Sequence, residues 1–203
     1  MRLNFLSATA HAYLFCDGPI SGKTVLITGA AGAVGGLAVR MAKLGGARVI
    51  ASASGEAQGE RARRAGADHI VDHRAADFKD QIGNALDGGR LDRVIEVEFG
   101  ANVAHVSGWL RDNATIVAYG SAAAPAPALP FYALLFKGIT LRMLLVYILP
   151  QSVRDTAIRD IGLWLEADQL RPEVSDRFSL AEVAAAHERV ARGGKMGSVV
   201  LII

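Results

Sequence analysis

Apolar and polar positions along the chain alternate between two periods. Residues 23–28 (KTVLIT) are almost wholly apolar and are bounded by Gly22 and Gly29, which predicts a buried parallel strand. Over 34–44, Val34, Leu37, Ala38, Met41 and Ala42 form a helical stripe that Gly45 and Gly46 terminate. The alternation continues with strands at 48–52, 69–71, 93–97, 115–119 and 138–146. Helices fall between them at 56–65, 78–86 and 101–110. Such a rhythm predicts an α/β fold: a doubly wound, parallel six-stranded sheet with right-handed crossovers and helices on both faces.

After Pro150 the texture changes. An amphipathic helix is expected at 152–167, a second at 180–192 and a closing strand at 198–203. Residues 168–179 have no clear period, although Val174 and Phe178 offer anchors. The chain is thus expected to divide into a domain over 1–150 and a C-terminal α/β extension over 151–203. The segment 122–130 (AAAPAPALP) is a stiff spacer, and 139–149 (ITLRMLLVYIL) reads as a long apolar strand at the sheet edge.

Composition narrows the class. Of 203 residues, 51% are hydrophobic and 21% charged, which excludes a disordered chain or a coiled coil. The net charge of +2 comes without a Lys/Arg block, so no nucleic-acid partner is expected. The longest apolar stretch, 122–136, is broken by three prolines and falls short of a bilayer span of about 20 residues. The apolar run after Met1 and Arg2 is interrupted by Asn4 and is too short for a secretory leader. One cysteine, Cys16, excludes an internal disulfide or a paired-cysteine zinc site. A soluble, cytoplasmic protein is expected.

The chemistry concentrates in residues 24–36, TVLITGAAGAVGG. A buried strand runs into Gly29, Ala31, Gly32, Ala33, Val34 and Gly35, and a helix starts inside that run. Glycines there allow a tight turn and let a pyrophosphate reach the first helical N–H groups, where the helix dipole favours an anion. Gly35 removes a side chain where helix and strand must pack closely. Ala30 stands where a G-x-G-x-x-G turn has its second glycine, but the strand–turn–helix context completes a Rossmann-type dinucleotide site. Thr28 and Gly29 are also similar to the turn of short-chain dehydrogenases. Ala33 replaces that class's third glycine, and none of Tyr13, Tyr119, Tyr132 or Tyr147 has a lysine four residues on. That alternative fails.

The second strand ends Ala51-Ser52-Ala53-Ser54, without an acid to hold ribose hydroxyls, and Arg61, Arg63 and Arg64 follow. An acid-free end points to NADP(H), with Ser52 and Ser54 as hydroxyl donors and Glu56 the one dissenting carboxylate. Arg63 and Arg64 read as a solvated helix face. His11, His69, His73, His105 and His187 have no ligand spacing, so no metal site is expected. Cys16 and Asp17 have no base partner, and Met143 and Tyr147, on the apolar edge strand, read as interface.

Ala10-His11-Ala12-Tyr13, Gly22-Lys23-Thr24-Val25, GAAGAVG, Ala65-Gly66-Ala67-Asp68, Asp72-His73-Arg74, Gly100-Ala101-Asn102, Tyr119-Gly120-Ser121 and Gly194-Lys195-Met196-Gly197 occur in this order. In these features, from about Thr9 to its end, the chain resembles the medium-chain dehydrogenase/reductase superfamily, in its zinc-independent quinone oxidoreductase (zeta-crystallin-like) branch. The resemblance implies that Ala31, Gly32, Ala33 and Val34 wrap the pyrophosphate of NADP(H). It implies that His73 lies against the adenosine, that Arg74 reaches a phosphate and that Asn102 faces the cofactor. Gly120 and Ser121 would approach the nicotinamide ribose, with Arg142 beyond. The lysine that many relatives carry near Gln58 is absent here. The acceptor implied is a quinone or enone, and the assembly a homodimer joined through the strand 139–149. Relatives begin with a GroES-like domain, so the chain is expected to start at the linker helix that follows it. The face Leu180, Val183, Ala184, His187 and Val190, and a strand 199–203 without an obvious partner, would pack on that domain. Two further readings are a cofactor-binding module without turnover and a subunit whose cleft is completed by another chain.

Overall fold

The computed structural model describes residues 5–171, 173–193 and 197–202. Of the motif 194–197, the first three residues lie outside them. Helix α1 (Phe5–Phe15) precedes β1 (Thr24–Ile27), α2 (Ala33–Leu44), β2 (Arg48–Ala53), α3 (Gly55–Arg64) and β3 (His69–Asp72). Then come α4 (Phe78–Leu86), β4 (Leu91–Glu96), α5 (Phe99–Val106), β5 (Leu110–Ala118), α6 (Phe131–Leu135) and β6 (Thr140–Met143). Helix α7 (Gln151–Glu166), β7 (Val174–Ser179), α8 (Val183–Ala191) and β8 (Ser198–Ile202) complete the described chain.

Six parallel strands form one sheet in the order β3-β2-β1-β4-β5-β6. This is the Rossmann-type α/β architecture that the strand–helix rhythm predicts. The order reverses at β1 and β4, so the crevice outside their carboxyl ends is the place for a ligand. One face packs α1, α2 and α7: Leu14, Val39, Met41 and Ile161 share a core with Val25 and Ile27. The other face packs α4 and α5 through Ile82, Leu86, Val103 and Val106. Among the described residues, no helix is long and apolar enough to cross a membrane.

The structure corrects three of these expectations. The sixth strand spans Thr140–Met143 only, and the chain then turns through a short 3-10 helix, Val146–Ile148. Leu145 and Tyr147 are therefore not on a strand. The Tyr13 hydroxyl donates to the Leu144 carbonyl at 3.0 Å, and the Phe5 and Tyr147 rings approach to 5.3 Å, drawing the segment onto α1 before Pro150. Helix α5 ends at Val106, and β5 begins at Leu110 rather than 115, because the Leu91 N–H donates to the Trp109 carbonyl at 2.9 Å. Finally, β8 has a partner: it pairs parallel with β7, inside the stretch that lacks a period. Asp176 breaks the apolar alternation of β7 because it pairs with Arg189 of α8 at 3.1 Å.

Candidate functional site

At the end of β1 the backbone turns through Gly29, whose φ of 59° is left-handed, and α2 starts after Gly32. The Gly32 N–H closes the turn on the Gly29 carbonyl at 2.8 Å. Ala33, Val34 and Gly35 form the first helical turn, where N–H groups lack intrahelical acceptors and favour an anion. A Cβ on Gly35 would stand 2.2 Å from the Gly29 carbonyl oxygen, so only glycine lets helix and turn approach this closely. This cradle fits a pyrophosphate.

Beside it opens a cavity of about 670 Å³, lined by Gly29, Ser52, His73, Lys79, Asn102 and His105 among others. Ser52 Oγ and His73 Nδ1 lie 3.1 Å apart, joining the ends of β2 and β3. The Ser54 hydroxyl donates to Gln58 Oε1 at 3.1 Å. Asp72 binds the rim together: one oxygen accepts the Gly55 N–H at 3.0 Å and the other the Arg74 N–H at 2.9 Å. Those backbone donors hold its carboxyl below the usual carboxylate range. The Arg74 side chain stays exposed on this rim.

The far side is organised by two glutamates. Glu96, buried at the end of β4, accepts from Thr28 Oγ1 at 2.8 Å, from Asn102 Nδ2 at 2.9 Å and from the Glu98 N–H at 2.7 Å, all on one oxygen. Its other oxygen is buried without a partner among the described residues. Burial pushes this carboxyl up, against the pull of its donors. Glu98 accepts the Ala122 and Ala123 N–H groups at 3.3 and 2.9 Å, clamping the proline-rich spacer to the β4–α5 turn. Ser121 Oγ takes the Gly100 N–H at 2.9 Å and donates to the Ala124 carbonyl at 2.6 Å. The Gly120 carbonyl accepts the Phe99 N–H at 2.9 Å at the same junction. A second, mostly apolar cavity of about 510 Å³ lies here, walled by Tyr119, Pro125, Pro127, Leu144 and Leu145. The spacer is thus a wall rather than a passive connector.

Gly29, Ser52, His73 and Asn102 line the first cavity, and Gly120 and Ser121 line the second. Arg142 stands apart: its guanidinium donates to the Cys16 carbonyl at 2.8 Å, at the end of α1. Arg63 and Arg64 are exposed, whereas Arg61 is buried behind the turn, where it donates to the Ala31 carbonyl. Lys79, His105, Glu96 and Glu98 escape sequence reading because no local period marks a residue facing a crevice from a neighbouring loop. Among the described residues, no three His, Cys, Asp or Glu side chains cluster as metal ligands.

A glycine turn at the switch point of a Rossmann-type sheet defines a dinucleotide-binding class of domain. Residues 33–161 match the family described as zinc-binding dehydrogenase, and the chain belongs to that family. Among curated proteins it is similar to a 2-haloacrylate reductase of Burkholderia sp, 31% identical over 186 residues, covering 89% of this chain and 56% of the relative. It is 29% identical to a quinone oxidoreductase of Pseudomonas aeruginosa, covering 89% of this chain and 57% of the relative. The chain thus spans little more than half the length of these relatives. A crystal structure of 2-haloacrylate reductase superposes with a TM-score of 0.85 at 26% identity, over 98% of this chain and 63% of that one. CurA from Vibrio vulnificus, solved in complex with NADPH, shares the fold with a TM-score of 0.78 at 24% identity, over 97% and 61%.

Proposed function

We propose that this chain is the cofactor-binding part of an NADPH-dependent oxidoreductase of the quinone oxidoreductase kind, acting on a quinone or enone in the cytoplasm. The observation that carries the reading is the cradle at Gly29, Gly32 and Gly35, of which Gly29 also lines the neighbouring cavity of about 670 Å³. Two relatives named for quinone and haloacrylate reduction support an electron-poor acceptor. A bound nicotinamide would supply the hydride. The protein's part is to position it and to keep water from it: Ser121 and Glu98 hold the spacer as a wall of the apolar cavity, which Leu144 and Leu145 also line. The end of β2 carries no carboxylate for ribose hydroxyls, and the exposed Arg74, with Ser54 beside it, would meet a 2′-phosphate.

Fluorescence titration tests this. NADPH is expected to bind about tenfold tighter than NADH, or roughly 1.4 kcal/mol. A Gly32→Val substitution would put a branched side chain against the pyrophosphate and abolish binding. Equal affinity for both cofactors would refute the NADPH assignment, and binding indifferent to Gly32→Val would refute the site.

The edge of β6 supports a homodimer, in a form adjusted to the shorter strand. Phe136 (81% exposed), Ile148 (76%), Tyr132 and Met143 gather around an unpaired four-residue strand edge. Light scattering should report a dimer for the wild type and a monomer for a Phe136→Asp/Ile148→Asp variant. A wild type that stays monomeric at high concentration would defeat this assembly.

A further inference from the structure

Arg61 is the one cation of α3 withdrawn from solvent, with a side chain 6% exposed. Its guanidinium reaches in two directions. Nη1 donates to the Ala31 carbonyl, in the middle of the glycine-rich turn. Nε donates to Glu173 Oε2 at 2.9 Å, 112 residues further along the chain. The guanidinium passes beside Gly36, where an added Cβ would stand in ordinary contact at 3.9 Å from Nη2. Glu173 in turn lies where β7 and β8 begin to pair, its carbonyl accepting the Ser198 N–H at 2.8 Å. Arg40 and Arg171 line the same small cavity, where the Arg171 guanidinium is paired with Asp168 and Glu173 with Arg61.

We propose that Arg61 and Glu173 form a strut through which the C-terminal β7–α8–β8 unit positions the pyrophosphate turn. The strut rests on the cofactor reading above. A carbonyl fixed from behind holds its peptide plane, and with it the N–H groups at the start of α2, in the orientation an anion needs. The buried positive charge behind the turn adds to the field at that helix end. Glu173 makes the charge tolerable there, because a buried guanidinium without a counter-charge is strongly destabilising. Both are positioning residues: neither lies on the rim of the nucleotide cavity.

The test uses the full chain and two probes, NADPH and adenosine 2′-monophosphate, which has no pyrophosphate. Losing a charge-assisted hydrogen bond should raise the Kd for NADPH about tenfold in Arg61→Met and in Glu173→Ala. Adenosine 2′-monophosphate should bind each variant as it binds the wild type. Arg61→Lys, which keeps the charge and one donor, should recover most of the loss. The double variant should be no weaker than Arg61→Met alone, since both residues act through one contact. Additive losses, an equal loss for both probes or an unchanged Kd for NADPH would overturn the strut. If the wild type binds neither probe, the cofactor reading fails instead. Hydrogen exchange then judges the strut: faster exchange at residues 32–36 in Arg61→Met supports it, and unchanged exchange refutes it.

Discussion

Asp17→Ala is expected to cost about 3–5 kcal/mol of folding stability, the range for breaking a buried ion pair from one side. Arg93 projects from the middle of the sheet onto the end of α1 with only 1% of its side chain exposed. It pairs there with Asp17 and donates to the Leu14 carbonyl, while its Nε is buried without a partner among the described residues. Asp17 has a second task, accepting from Thr115 Oγ1 at 2.8 Å. Alanine would leave the guanidinium buried without its carboxylate. Arg142, committed to the Cys16 carbonyl, is another cation and cannot compensate. Thermal unfolding should show a Tm lower by roughly 10 °C. Asp17→Asn, which keeps the shape and one acceptor, should lose less. A loss under about 1 kcal/mol in Asp17→Ala would mean that water or a rearranged neighbour satisfies Arg93.

This anchor bears on the site because α1 underlies it. Tyr13 and Tyr119 stack at 4.9 Å, and the Tyr13 hydroxyl holds the Leu144 carbonyl, so a shifted α1 would move the wall of the apolar cavity. Burial pushes the Tyr13 phenol up to about 12, so it remains a donor throughout the physiological range. Stability and the shape of the apolar cavity are therefore linked through one helix.

What could be read in the sequence follows from which forces are local. Strand β1 is buried along almost its whole length, so its apolar run and bounding glycines are legible without a structure. The edge strand misleads for the same reason. An apolar run shows that residues avoid water or await a partner, and it does not show where the ladder stops. What stops β6 is a phenol on α1, 131 residues away. Strand β7 hides because Asp176 occupies an inward position and is paid for by Arg189, a residue on a later helix. The site divides likewise. The turn is written in consecutive residues, whereas the burial of Arg61 needs Glu173, and the clamp at Glu98 needs the N–H groups of Ala122 and Ala123.

Gly35→Ala should be the most damaging single-methyl change in the turn. The added Cβ would meet three backbone atoms: the Gly29 oxygen at 2.2 Å, and the Ala30 Cα and Gly29 carbonyl carbon each at 2.8 Å. No flexible side chain can give way. Either α2 slides from β1, opening the core around Leu37, Ala38 and Met41, or the turn reshapes and the anion cradle is lost. Overpacking typically costs about 1–3 kcal/mol, and a backbone clash belongs at the upper end even after alanine's gain in helix propensity. NADPH affinity should fall at least tenfold, because either response moves the first N–H groups of α2. The neighbouring Gly36→Ala is the matched control. Its Cβ would have the Ala30 oxygen at 3.5 Å and Arg61 Nη2 at 3.9 Å, which is ordinary contact. Helix propensity then favours alanine by up to about 1 kcal/mol, so this variant should melt at or above the wild-type temperature and bind NADPH unchanged. Urea unfolding and cofactor titration of the pair decide the matter. If both alanines are tolerated equally, close approach at Gly35 does not set the geometry of the turn.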